Sequence, residues 1–193
     1  SVYELKNPHN MTYEQVREHL QYSYDLGSRF VDFEGGEVTI WKDGDKRIND
    51  LIDLAKEIGF FSCTITTNAQ LPFKGSNADS IWVSLDGYGS FHEEVRGKGT
   101  FAKLEKNIAE CGHKHLSVNM VVNTLNYTAV EDTIEYAKNN PAIEQISINF
   151  HTPFEGTEYL ALDMDKRREI IDKVLEYKKK GYPIMNSRSG LKL

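Results

Sequence analysis

The chain has 193 residues, 39% of them hydrophobic, and carries a formal net charge of −6. That is one domain's worth of sequence with enough apolar residues for a substantial core, and it lacks the basic runs of a nucleic-acid surface. No apolar run approaches the roughly 20 residues of a membrane helix, so neither nucleic acid nor membrane is an expected partner.

The first ten residues read as a loop. Thr12-Tyr13-Glu14-Gln15 then reads as a capping box. Val16, Leu20 and Tyr24 follow at helical spacing, with Gly27 as the stop. Residues 30–33 form a short strand. Ile48, Leu51, Ile52, Ala55 and Ile58 line one face of a second helix that ends at Gly59. Residues 60–66 are β-branched and aromatic, as are residues 81–85, and both predict strands. The link between these two strands holds Pro72 and Gly75. It is near the minimum for a parallel crossover and leaves no room for a full helix.

Thr100 is expected to cap a helix with Phe101, Leu104, Ile108 and Cys111 inward and Gly112 at its end. Residues 116–122 form a strand. Thr128-Ala129-Val130-Glu131 reads as a second capping box, opening a helix that Asn140-Pro141 closes. Residues 143–150 are a further strand. Asp163 or Asp165 starts a long helix bearing Ile170, Ile171, Val174 and Leu175. Lys178, Lys179 and Lys180 complement that helix's dipole before Gly181. Residues 182–185 are expected to add a last strand.

Strands alternating with helices imply right-handed crossovers and a parallel sheet, so the fold class is α/β in a single domain over residues 1–193. Periodicity leaves an open doubly wound sheet and a (β/α) barrel both standing. Cys63 and Cys111 are far apart and in no metal-ligand spacing. They read as small buried hydrophobes, which suits a reducing cytoplasm.

Polar or glycine residues follow each strand at once: Glu34-Gly35-Gly36-Glu37, then Thr67-Asn68, then Ser84 with Asp86-Gly87, then Asn123 and Asn126, then Asn149, His151, Thr152 and Glu155. Ligands of parallel α/β folds bind at the carboxyl ends of strands. Taken singly, each group has an ordinary reading: Gly35-Gly36 and Asp86-Gly87 as tight turns, His151 as a hydrogen-bonded loop residue, Arg96 as a surface arginine. Their order gives them weight.

Phe33-Glu34-Gly35-Gly36-Glu37 resembles the GGE motif of radical S-adenosylmethionine (radical SAM) enzymes, and Thr66-Thr67-Asn68-Ala69 resembles their TNG-like segment. Val83-Ser84-Leu85-Asp86-Gly87, His92, Arg96-Gly97 and Gly99-Thr100-Phe101 are similar to the family's SLDG–H–RG–G–F run. Val118 to Asn123, with Asn126, is similar to its fifth-strand segment.

The resemblance implies a partial (β/α) barrel that binds S-adenosylmethionine and, in the intact parent, a 4Fe-4S cluster. Under it, the backbone at Gly35, Gly36 and Glu37 would face the methionine amino group. Ser84 would meet the ribose, with Asp86 supporting that loop. Arg96 would pair with the methionine carboxylate, and Asn68 and Asn123 would sit at the rim. The family's CxxxCxxC loop has no counterpart in this sequence. The resemblance therefore places the first strand and cluster loop before Ser1, makes the chain a fragment, and implies that it runs no radical chemistry alone. The exposed edge strand at residues 30–33 is then expected to self-associate or to be covered by residues 1–10.

The substrate, a peptide or a small molecule, is not legible. Two other readings stand beside this one. One is a cluster-free binding or regulatory barrel. The other is a divalent-metal barrel enzyme using Glu34, Glu37, Asp86 and His151.

Overall fold

A computed structural model describes residues 10–192. Thr12 caps the first helix, α1 (Tyr13–Asp25), through the full capping box with Gln15. Strand β1 (Phe30–Phe33) follows, then α2 (Ile48–Ile58), which ends in the left-handed Gly59. β2 (Ser62–Thr67) and β3 (Ser80–Ser84) are joined without an intervening helix, as the short link requires. Next come α3 (Ser90–Arg96), α4 (Thr100–Cys111), β4 (Leu116–Val122), α5 (Val130–Asn139), β5 (Gln145–Phe150) and α6 (Met164–Lys179).

All five strands are parallel, and they lie side by side in the order β1-β2-β3-β4-β5. A doubly wound sheet reverses its strand order at a switch point. Here the order never reverses, so every right-handed crossover places its connection on the same side. The barrel-type alternative is therefore the one the chain adopts.

The two sides of the sheet differ accordingly. Cys63, Ile65, Ile81, Val83, Leu116, Val118, Met120, Ile146 and Ile148 face the helices and are buried. The alternate positions are mostly polar, among them Asp32, Thr64, Thr66, Ser80, Ser84, Asn119, Ser147 and Asn149, with Phe30, Trp82 and Val121 as the apolar members. Neighbours on this second face bond across strands: Thr64 with Ser80 at 2.8 Å, and the Asn149 amide to Asn119 at 2.6 Å. A parallel sheet is normally apolar on both faces. A polar face of this extent marks the inside of a barrel wall facing a polar lumen.

Several expectations need correction. Gly99, not Thr100, is the cap of α4; the Thr100 hydroxyl instead donates back to the Gly97 carbonyl at 2.6 Å. The capping box at Thr128 does not form. Tyr127–Ala129 is a 3-10 turn, because Asn126 and Tyr127 both donate to the Asn123 carbonyl, and α5 starts after it without a side-chain cap. The last strand shrinks to one parallel bridge between Ile146 and Ile184. Pro183 brings no donor, and beyond the bridge the Asn186 side chain takes over, accepting from the Ile148 amide at 2.7 Å and donating to its carbonyl at 2.9 Å. Helix α3 is an addition to the expected elements: it is seven residues long and buries only His92, too little to show a period. Residues 1–9, expected to cover β1, lie outside the described residues.

Candidate functional site

After β1 the chain turns through Gly35, at φ +53°, and reaches Glu37. That carboxylate accepts four hydrogen bonds from neutral donors: Thr39 N at 3.1 Å, Thr39 Oγ1 at 2.6 Å, Thr67 Oγ1 at 2.6 Å and Asn68 N at 2.7 Å. It clasps the ends of β1 and β2 together. A Cβ built on Gly36 meets nothing within 4 Å, so the backbone there is open to approach.

The Asn68 side chain accepts from Gln70 N at 3.0 Å, and this turn carries Ala69 into the left-handed region at φ +56°. Ala69 is the one non-glycine residue at positive φ among the described residues, where the TNG-like segment it resembles has glycine.

Asp86, 3% exposed, is the second clasp. Its Oδ2 accepts from Arg96 Nε at 2.6 Å, and its Oδ1 accepts from Val121 N at 3.0 Å. Its amide donates to His92 Nδ1 at 3.1 Å, and its carbonyl accepts from Asn126 Nδ2 at 2.9 Å. Asn126 also donates to the Val121 carbonyl at 3.0 Å and accepts from Asn123 N at 2.8 Å. Gly87 is required beside this hub: at φ +142° a Cβ would lie 2.7 Å from that of Phe91.

Because Nδ1 of His92 accepts, its proton sits on Nε2, which is buried and has no partner among the described residues. Burial first, and the Arg96 charge second, pull the His92 imidazole down to about 4. At the opposite edge, burial and then the Glu34 charge raise the Asp32 carboxyl, against a hydrogen bond from Thr66.

Gly36, Asn68, Asp86 and Arg96 come together with Gln70, Val95 and Thr100 around a cleft of about 430 Å³ at the carboxyl end of the sheet. Gly35, Glu37, Ser84 and Asn123 lie at the same strand ends without lining that cleft. Glu37 and Asn123 shape the loops, the latter by accepting from Leu125 N at 2.8 Å. Ser84 sits on the polar inner face, in register with Asn119.

Sequence reasoning misses Gln70. It joins Asn68 O to Thr100 O through its amide, at 3.2 and 3.0 Å, and only its place two residues past Asn68 signals it. Asp32 escapes notice too, although strand alternation puts it on the inner face.

Among the described residues no group of three or more His, Cys, Asp or Glu could hold a metal ion. Glu34, Glu37, Asp86 and His151 are not brought together as such a group, and the His151 ring bonds Thr157 instead. Both cysteines are buried, and burial pushes their thiols up. The described residues thus place polar groups at the strand ends and supply no ligand set for an iron–sulfur cluster. No helix among the described residues is long and apolar enough to cross a membrane.

A single-wound parallel sheet with a polar cleft at its strand ends defines an α/β partial-barrel domain. The family model of the radical SAM superfamily matches residues 2–137, and the chain belongs to that superfamily. Comparison with curated protein sequences returns no match.

Among solved structures, Streptococcus suis SuiB bound to S-adenosylmethionine superposes with a TM-score of 0.71 and 21% identity over 94% of this chain and 44% of its own. Hexahistidine-tagged anSMEcpe with bound AdoMet gives 0.68 and 18% identity over 90% and 55%. Methylornithine synthase (PylB) gives 0.59 and 15% over 93% and 64%. These likenesses show the fold, and the chain spans less than two thirds of each of those three proteins.

Proposed function

We propose that this chain is the S-adenosylmethionine-binding part of a radical SAM enzyme's barrel. The observation that carries the reading is the cleft where Gly36 and Asn68 of one pair of strand ends meet Arg96 and Asp86 of the next. Arg96 is held through Nε by Asp86 yet keeps 31% of its side chain exposed. A guanidinium anchored at one edge in this way is oriented and still able to meet a carboxylate. In this reading Arg96 receives the methionine carboxylate, the carbonyls around Gly35, Gly36 and Glu37 receive the ammonium, and Ser84 meets the ribose. Asn68 and Asn123 bound the rim. Asp86 and Glu37 act by position, since their oxygens are already engaged.

S-adenosylmethionine supplies the cleavable sulfonium of the family's chemistry. The described residues supply binding and orientation, and no ligand set for the cluster that would reduce it. The polar inner face, with Asp32 at one edge, is the surface on which a substrate would lie.

Saturation-transfer NMR and titration calorimetry with S-adenosylmethionine test this. The expected result is weak binding, at least tenfold weaker still in Arg96→Ala. Decarboxylated S-adenosylmethionine should not distinguish the two proteins. Equal affinity of wild type and Arg96→Ala for S-adenosylmethionine overturns the assignment.

A further inference from the structure

A second groove shares no lining residue with the strand-end cleft. It has a volume of about 800 Å³ and runs along the helical side of the molecule beside α4 and α5, open rather than enclosed. Tyr88 and Tyr136 form an aromatic wall, their ring centroids 5.3 Å apart, and Tyr88 is 47% exposed. Both rings are braced by Phe101, at 5.4 and 5.7 Å. Asp132, Glu135, Tyr136 and Asn139 recur at the spacing that puts side chains on one side of α5, and all four line the groove.

Neither Asp132 nor Glu135 has an ion-pair partner among the described residues. Among the described residues Glu135 accepts one hydrogen bond, from the Tyr182 hydroxyl at 2.7 Å. The far end of the groove is the carboxyl end of α5, at Asn139 and Asn140, where the helix dipole is negative. Burial pushes the Tyr136 hydroxyl up to about 12, so its ring stays neutral.

Aromatic faces, two carboxylates and a helix carboxyl terminus all favour a cation, and among the described residues no lysine or arginine lines the groove to supply one. A lone metal ion would have too few ligands here, because no metal-holding group exists among the described residues. The groove is also far larger than one ammonium group needs. We propose that this groove is a docking site for a partner polypeptide, which inserts an arginine or lysine side chain over Tyr88 and Tyr136 and between Asp132 and Glu135. This site is independent of the strand-end cleft and does not depend on its assignment.

The test is a titration of the ¹⁵N-labelled 193-residue chain with an acetylated, amidated Gly-Arg-Gly-Arg-Gly peptide, and with its citrulline counterpart. The expected result is saturable shifts of the Tyr88, Asp132, Glu135 and Asn139 amides with the arginine peptide, and at least tenfold weaker binding of the citrulline peptide. The Asp132→Asn/Glu135→Gln double variant, which keeps the acceptor for Tyr182, should weaken the arginine peptide at least tenfold while its spectrum remains that of a folded chain. Tyr88→Ala should weaken it as well. Equal response to citrulline, no shifts at these amides, or undiminished binding by a folded double variant would overturn the proposal. So would tetramethylammonium binding as tightly as the peptide, since the occupant would then be a small cation.

Discussion

Two carboxylates hold the strand ends of this barrel wall, and they do it by different means. Glu37 binds β1 to β2 using only neutral donors, and remains partly open to solvent. Asp86 binds β3 to β4 from a buried position, with a guanidinium on one oxygen and a backbone amide on the other. A carboxylate near water can be satisfied by ordinary hydrogen bonds. One that is almost fully buried requires a cation and a complete set of partners. The difference predicts that the molecule tolerates damage at the first clasp and not at the second.

The largest effect is expected at Asp86. Asp86→Ala leaves the Val121 amide unpaired and the Arg96 charge without its counter-ion. It should cost about 3 kcal/mol, reduced from a fully buried pair because Arg96 is partly hydrated. Urea unfolding of the single variants and of Asp86→Ala/Arg96→Ala measures it; a loss below about 1 kcal/mol would erase the contrast between the clasps.

The next effect is a pH dependence. His92 is neutral when folded, with its pKa at about 4, below the ordinary histidine value of about 6.5. As pH falls below 6.5 the unfolded chain takes up the proton first, so folding stability is full above 6.5 and declines toward 4. The total decline from this group is about 3 kcal/mol. His92→Asn, which can still accept from the Asp86 amide, should flatten the difference in urea midpoint between pH 7.5 and 4.5. An unchanged slope would show that the buried imidazole is not the source.

Glu37→Gln should cost less, about 1–2 kcal/mol, because one amide NH₂ would face a donor while the remaining contacts survive or hydrate. If thermal or urea unfolding shows it as damaging as Asp86→Ala, burial is not what separates the two clasps. The smallest change is expected at the edge beside Glu37. β1 pairs only with β2 among the described residues, and Phe30 is 74% exposed. Phe30→Lys should shift stability by under about 0.5 kcal/mol and reduce self-association in sedimentation velocity. Identical sedimentation of both proteins across concentration would remove the edge as an association surface.

Much of this architecture is legible in the sequence, because glycines and strand ends are local signals. Gly35-Gly36, Asn68, Asp86-Gly87 and Arg96 are each readable within a few residues, and their shared direction follows from a parallel sheet. The partners are not legible. Asp86 meets Asn126 across 40 positions, and Thr67 meets Glu37 across 30. Nothing in local periodicity encodes such pairings. The misread cap at Thr128 has the same cause: a good local motif lost to the Asn123–Asn126 turn, which the Asp86 hub holds in place from outside.

The unreversed strand order has a consequence for synthesis on the ribosome. Each strand's neighbour in space is the next one translated, so the wall can grow in one direction, one strand at a time, without waiting for a distant segment. Asp86 follows the same rhythm, one strand ahead of its partners. Its carboxylate and carbonyl find partners 35 and 40 positions later, in Val121 and Asn126. Until those residues have left the exit tunnel, the Asp86 loop must stay hydrated. Closure of this hub therefore waits for β4 to dock.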